Sequence, residues 1–361
     1  MEQLLDSFVF VLLGLFVLTL LVFVHESGHF LVAKRAGIKV EEFGFGFPPR
    51  LFSVRRGETL YSLNALPLGG FVKMLGEESP RDPRSFAFQT KSWRAAVLLA
   101  GPAANVVLAI LLFAAAHATG WPTGVGVKIT QVAEGSPASQ AGLLPEDVIL
   151  SLAGVEVSSM FGLREVTEQN LGRAVPIEVR RERVTLTREV TPRVNPPEAQ
   201  GPIGIRLGHA RIDRVAHPVP EALLLGAEQT YQTVRLTFVV PSMVLRGLIP
   251  AEMARPVGPV GIIQITSQAT SATIDSGWLF HALSVAAFIS TALAVFNILP
   301  IPALDGGRLL FVIIEALRGQ RVEPRRESAI HGMGIAVLLS LIVVVTYLDV
   351  VSPIPTEGLF R

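Results

Sequence analysis

The chain has 361 residues, more than one ordinary domain needs, and half of them are hydrophobic while only 17% are charged. Such an apolar balance excludes an ordinary soluble enzyme and points to a membrane protein that carries a soluble insert. A net charge of +1 without a basic tract argues against nucleic acid as a partner, and the lack of cysteine excludes disulfides and thiolate ligands, leaving His and carboxylates for any metal site.

The first element is an apolar stretch from about Phe8 to Val32, long enough to cross a bilayer as a helix. Glu2 and Asp6 precede it where a leader peptide carries basic residues, so it reads as a retained span. Inside it stands His25-Glu26-Ser27-Gly28-His29. Positions four apart share one helix face, so His25 and His29 can each turn a ring nitrogen toward one metal ion. Glu26 then lies beside that ion as the general base of metal-assisted peptide hydrolysis. Ionisable side chains at membrane depth cost several kcal/mol and persist mostly where they line a cavity or bind something, so three within five positions argue for a site.

Beyond Val32 the chain turns basic, with Lys34, Arg35, Arg50, Arg55 and Arg56 before a second span at about Ala95 to Thr119, and this segment is expected on the cytoplasmic side. Its β-prone runs, Tyr61 to Asn64 and Gly69 to Met74, are separated by Pro67 and predict a hairpin-like sheet dipping toward the active site. An unpaired edge there could supply ladder hydrogen bonds to an extended substrate. In the second span, Gly101-Pro102-Ala103-Ala104-Asn105 reads as a close helix contact at Gly101. Trp93, Trp121 and Trp278 each fall at an expected span end, where indole rings favour the membrane interface.

Gly120 to Gly277 is then expected outside. Short strands and turns from Val125 to about Arg206, with Ser136-Pro137-Ala138 and Ala141-Gly142-Leu143 before Asp147, resemble a PDZ domain of the bacterial protease-associated type. The resemblance implies an extracytoplasmic module that takes a peptide or chain terminus by strand addition, with Gly124-Val125-Gly126-Val127 as its candidate carboxylate loop. Only one such unit fits. From Pro220 to Pro250, Leu224, Ala227, Tyr231 and Val234 recur at helical spacing among charged residues, which predicts an amphipathic helix on the outer membrane surface. A fifth span is the alternative, disfavoured by Arg235 near its centre.

The third span, Leu279 to Ile314, is broken by Asn297-Ile298-Leu299-Pro300-Ile301-Pro302-Ala303-Leu304-Asp305-Gly306-Gly307. Irregular backbone at membrane depth is tolerated only when buried in protein or lining a wet cavity. Asp305 in that break completes a two-His, one-carboxylate set with a fourth position open; it could equally cap the helix that follows. A last span, Ile330 to Val350, follows Arg318, Arg321, Arg325 and Arg326.

HExxH in a first span together with Asn-x-x-Pro-x-Pro-x-Leu-Asp-Gly in a later one resembles the site-2 protease family of intramembrane zinc metalloproteases, nearest to the bacterial regulator-of-sigma-E type. The resemblance implies a zinc ion on His25, His29 and Asp305, Glu26 as base, Asn297 near the substrate, and Gly70, Phe71, Val72, Lys73 and Met74 as a substrate-binding edge. It implies cleavage of single-span or signal-peptide-like membrane substrates, such as anti-sigma factors, in the bacterial plasma membrane. The expected architecture is a polytopic α-helical membrane protein of about four spans, with a membrane-associated β segment and an inserted mixed α/β domain. Residues 1–120 and 278–361 would form the catalytic membrane part, 121–206 the PDZ domain and 207–277 an outer linker, with both chain termini outside.

Overall fold

The computed structural model describes residues 2–76, 82–197, 200–247 and 255–353. They form two compact units, Met1–Gly120 with Ala216–Arg361, and Trp121–Val215.

In the first unit, α1 (Glu2–Arg35) runs without interruption because almost no residue in it opposes a helix; Lys34 and Arg35 complement the negative end of its dipole, and Gly37 at φ +75° ends the run. Strands β1 (Val40–Arg56) and β2 (Thr59–Met74) follow and pair antiparallel. Both strands bend, β1 near Pro48 and Pro49, so each has two arms. Phe43 faces Tyr61 on one side and Val72 on the other, so the first arm of β1 is enclosed by the two arms of β2. That leaves Gly70–Met74 with a β partner along one edge only. Helix α2 (Lys91–Gly120) returns through the same layer.

The second unit is a sheet with two short helices. Its strands are β3 (Trp121–Val132), β4 (Val148–Leu152), β5 (Val155–Glu156), β6 (Val175–Arg181), β7 (Val184–Val190) and β8 (Ile205–Val215), in the order β7-β6-β4-β3-β8 with β5 against β4. Helix α3 (Pro137–Gln140) opens on Ser136, whose hydroxyl accepts from Ser139 N–H, and α4 (Met160–Gln169) on Ser159, which accepts from Gly162 N–H. Along β6, Val175, Ile177 and Val179 point inward and Pro176, Glu178 and Arg180 outward, the period-two pattern of a half-buried strand. They close a core with Val127, Ile129 and Ile149. Asp147 anchors the turn into β4, accepting from Leu144 N–H and from two nitrogens of Arg181.

Two expectations change here. The unit extends past 206 to Val215, because β8 pairs with β3 from Ile205↔Val132 to Trp121↔Val215. Gly124 to Val127 is also no loop: it lies within β3, paired with β8 at Gly124, Val125 and Val127 and with β4 at Val127.

The chain re-enters the first unit through α5 (Val219–Leu245), α6 (Pro259–Ser276), α7 (Phe280–Ile298), α8 (Asp305–Arg318) and α9 (Pro324–Val351). Among the described residues four helices, α1, α2, α7 and α9, hold stretches long and apolar enough to cross a membrane. The expected outer helix at 220–250 is α5, its last residues from 248 lying outside those described, as do residues 354–361. Helix α5 packs on α2 through Ala222, Gly226 and Thr230, with Gly226 against the backbone of Ile110 and Ala114. Helix α6 links two helix ends: Gly261 N–H donates to Asp349 in the last turns of α9, and beyond the other end of α6 the Trp278 indole donates to Gly120 O.

Candidate metal and active site

The site is made where α1, α2 and α8 converge. Gly28 brings α2 against α1: a Cβ at this position would lie 2.3 Å from Ala100 O and 2.9 Å from the Ala104 Cβ. The flanking His25 and His29 are thereby buried and face the same helix. Asp305 arrives from the break between α7 and α8. It is the first residue of α8, and Leu304, not Asp305, occupies the N-cap, so its carboxylate is free of capping. Gly306 is required by the turn itself, since a Cβ would fall 2.2 Å from Ile298 O. Ala303 takes a left-handed φ of +82°, and His331 of α9 accepts its N–H at 3.0 Å through Nδ1, which holds the carrier loop of Asp305 to α9.

His25 Nε2 and His29 Nε2 lie 3.1 Å apart, and Asp305 Oδ2 lies 3.0 Å from the first and 3.1 Å from the second. Bonds of about 2.0–2.1 Å in a tetrahedron put ligand atoms about 3.3 Å apart, so the three donors fit one such ion. A fourth wall is open for the same reason: on α2, a Cβ at Gly101 would stand 2.3 Å from His29 Nε2 and 2.7 Å from His25 Nε2. His29 Nδ1 donates to Val97 O at 2.7 Å, because a carbonyl only accepts, and this leaves the Nε2 lone pair for a metal. His25 Nδ1 is 3.4 Å from the Asn105 amide.

Glu26 lies between the three donors and β2, interacting with the charges of His25, His29 and Asp305. Its carboxylate accepts from Val72 N–H, and Gly70 passes beside its Cγ. The open edge of Gly70–Met74 and Glu26 are thus neighbours. The other expected substrate residues divide in direction: Phe71 lies over Gly44 and stacks on Phe47, Lys73 pairs with Glu41 at 3.1 Å, and Met74 is buried with Ala33, Val40 and Val97. Asn297, in the last turn of α7, donates through Nδ2 to Leu293 O. Sequence reasoning missed Val97, Asn105 and His331 as neighbours of the site; the four-residue steps Val97, Gly101, Asn105 repeat the His25–His29 spacing and were the available signal.

Among the described residues His25, His29 and Asp305 form a group that could hold a metal ion, beside helices of membrane-crossing length, the arrangement expected of a membrane metallohydrolase. Residues 13–341 match the model of peptidase family M50, and the chain belongs to that family. It is 34% identical to a protein of Clostridium perfringens named as a zinc metalloprotease, over 96% of this chain and 99% of the relative. It is 36% identical to one so named from Nostoc, over 92% and 93%, and 28% identical to the regulator of sigma-W protease RasP of Bacillus subtilis, over 91% and 95%. The chain is therefore a zinc metalloprotease and a multi-pass membrane protein.

Proposed function

We propose that the protein is an intramembrane endopeptidase that cuts single-span or signal-peptide-like substrates of a bacterial plasma membrane, in regulated proteolysis of the anti-sigma-factor kind. The observation that carries this reading is the adjacency of three elements: the His25–His29–Asp305 cluster, the Glu26 carboxylate, and a sheet edge whose Val72 N–H points at that carboxylate. Zinc on these three ligands supplies Lewis acidity toward a peptide carbonyl and toward water. Glu26 takes a proton from the attacking water and returns it to the leaving amine. The Gly70–Met74 edge receives the unwound substrate as an added strand, aligning its backbone alongside Glu26. Asn297 keeps its amide oxygen for the substrate while Nδ2 is engaged within its helix.

The second unit is a PDZ-like module for an extended peptide or chain terminus. Its β8 is the last strand of the sheet, and between β8 and α4 lies a cavity of about 460 Å³ lined by Leu163, Thr167, Ile203, Gly204, Ile205 and Leu207. An open strand edge beside an apolar groove suits strand addition, and 201–207 replaces Gly124–Val127 as the candidate loop. Basic residues between α1 and α2 and between α8 and α9 support a cytoplasmic β1–β2 segment, with the second unit and both termini outside. Because α6 joins the outer ends of α9 and α2, it lies across the membrane surface rather than through it.

The test is cleavage of a single-span substrate by purified protein, comparing wild type with Glu26→Gln and measuring bound zinc in both. Loss of cleavage with zinc retained supports the reading. A wild type that binds zinc yet cuts no membrane substrate would sink it.

A further inference from the structure

Resting on this metal reading, we infer that Asn105 is a positioning residue that selects the metal-binding tautomer of His25 by accepting its Nδ1–H. His29 needs no such help, because Val97 O dictates its tautomer. His25 has no carbonyl at Nδ1. The group there is the Asn105 side chain, with Nδ2 at 3.4 Å, a long contact for a hydrogen bond. In that orientation the amide N–H donates to Nδ1, the proton of the ring moves to Nε2, and Nε2 faces His29 and Asp305 with a hydrogen where a lone pair is required.

Asn105 itself resolves the conflict. It is fully buried, and its Oδ1 has no hydrogen-bond partner in the structure. A buried amide oxygen without a partner loses its hydration and gains nothing in return. Amide oxygen and nitrogen are nearly the same size, so which one faces His25 is set by the hydrogen-bond pattern. Turning the amide by half a revolution brings Oδ1 to Nδ1, gives the orphan oxygen a donor, and returns the Nε2 lone pair to the metal cluster. One rotation gives Oδ1 its donor and frees the Nε2 lone pair, while Nδ2 takes the place Oδ1 held. The backbone at this position is fixed independently, since the Ser290 hydroxyl of α7 donates to Asn105 O at 2.8 Å. One face of α2, stepping through Val97, Gly101 and Asn105, thus sets one histidine's proton, leaves space for the ion, and sets the other histidine's proton.

Two variants separate acceptor from donor: Asn105→Asp keeps an oxygen toward His25, and Asn105→Leu keeps the shape without either. Zinc affinity would be measured by competition with a chelator in detergent, alongside nitrogen-15 imidazole spectra of the zinc-free protein. Outer-shell partners of metal-bound His are worth roughly 10–100-fold in affinity. The expected result is a loss of that size in Asn105→Leu, affinity within a few-fold of wild type in Asn105→Asp, and a wild-type His25 with its proton on Nδ1. Wild-type affinity in Asn105→Leu overturns the proposal. So does an Asn105→Asp as weak as Asn105→Leu, which would mean that the amide donates. Should Asn105→Leu fail to fold, the Asp variant and the His25 tautomer decide. A wild type without zinc would overturn the metal reading as well, whereas zinc binding indifferent to position 105 overturns this inference alone.

Discussion

Gly101 acts at the site through what it lacks. A methyl group there would contact both histidine ring nitrogens at 2.3 and 2.7 Å, well inside van der Waals distance and on the side where an ion sits. Gly101→Ala is therefore expected to lower zinc affinity at least tenfold and, because the methyl group also overpacks two buried rings, to destabilise the zinc-free protein by about 1–3 kcal/mol, as read by zinc analysis and thermal unfolding. His25, Glu26, His29 and Asp305 were legible in the sequence because ligand and base chemistry restricts residue type and spacing. Gly101 was legible only as a packing contact, since a residue without a side chain carries no mark of which neighbour it admits. The pair Gly124 and Gly126 misled in the opposite direction: glycines suggest a loop, but this stretch is strand laid along β8, and a Cβ at Gly124 would strike the His209 ring.

Elements, rather than residues, decide where the base works. Glu26 belongs to α1, yet its hydrogen bond runs to the β2 backbone. Val72→Pro removes that N–H and also breaks the edge on which a substrate strand would be laid. Cleavage is expected to vanish while zinc stays bound, because the three ligands lie on α1 and α8; undiminished cleavage would take the strand out of the mechanism. The sheet was expected from β-prone runs around Pro67, and the structure supplies what those runs lacked, the enclosure of β1 between both arms of β2. Which edge of a bent ribbon stays open depends on pairings far apart in sequence, Val40 with Met74 for example, and local propensity holds no record of them. The partner of α5 escaped for a related reason: its helical period announced an apolar face, but Ala222, Gly226 and Thr230, which face α2, are too small to register as that face.

For the molecule as a whole, acid sensitivity should come from outside the membrane. Lys34 and Arg84 hydrogen-bond Glu58 and hold its carboxyl at about 2. Burial pushes the Asp147 carboxyl up, but Arg181 and Leu144 N–H outweigh it and leave it below its ordinary value. A carboxyl lowered in the folded state contributes stability above its unfolded value, near 4, and loses that contribution as pH falls through the folded one. Thermal unfolding should therefore be steady from pH 7 to about 5 and decline below it. Asp147→Ala should cost about 2 kcal/mol at pH 7 and flatten the decline in the second unit's transition; an unchanged slope would remove Asp147 from the account. Topology belongs to this scale too. A reporter fused after residue 353 is expected to be active only outside the cytoplasm, and cytoplasmic activity would overturn the proposed arrangement of spans.

The second unit enters at Trp121 and leaves at Val215, and these two residues are cross-strand partners. Just beyond them, His217 N–H donates to His117 O, so the membrane part fastens the ends of α2 and α5 together by its own bond. The two chain ends that carry the inserted module are thus tied to each other by a bond in which the module takes no part. Over evolutionary time that module can be lengthened, duplicated or exchanged, giving one proteolytic core new clients without rebuilding the helices that do the cutting.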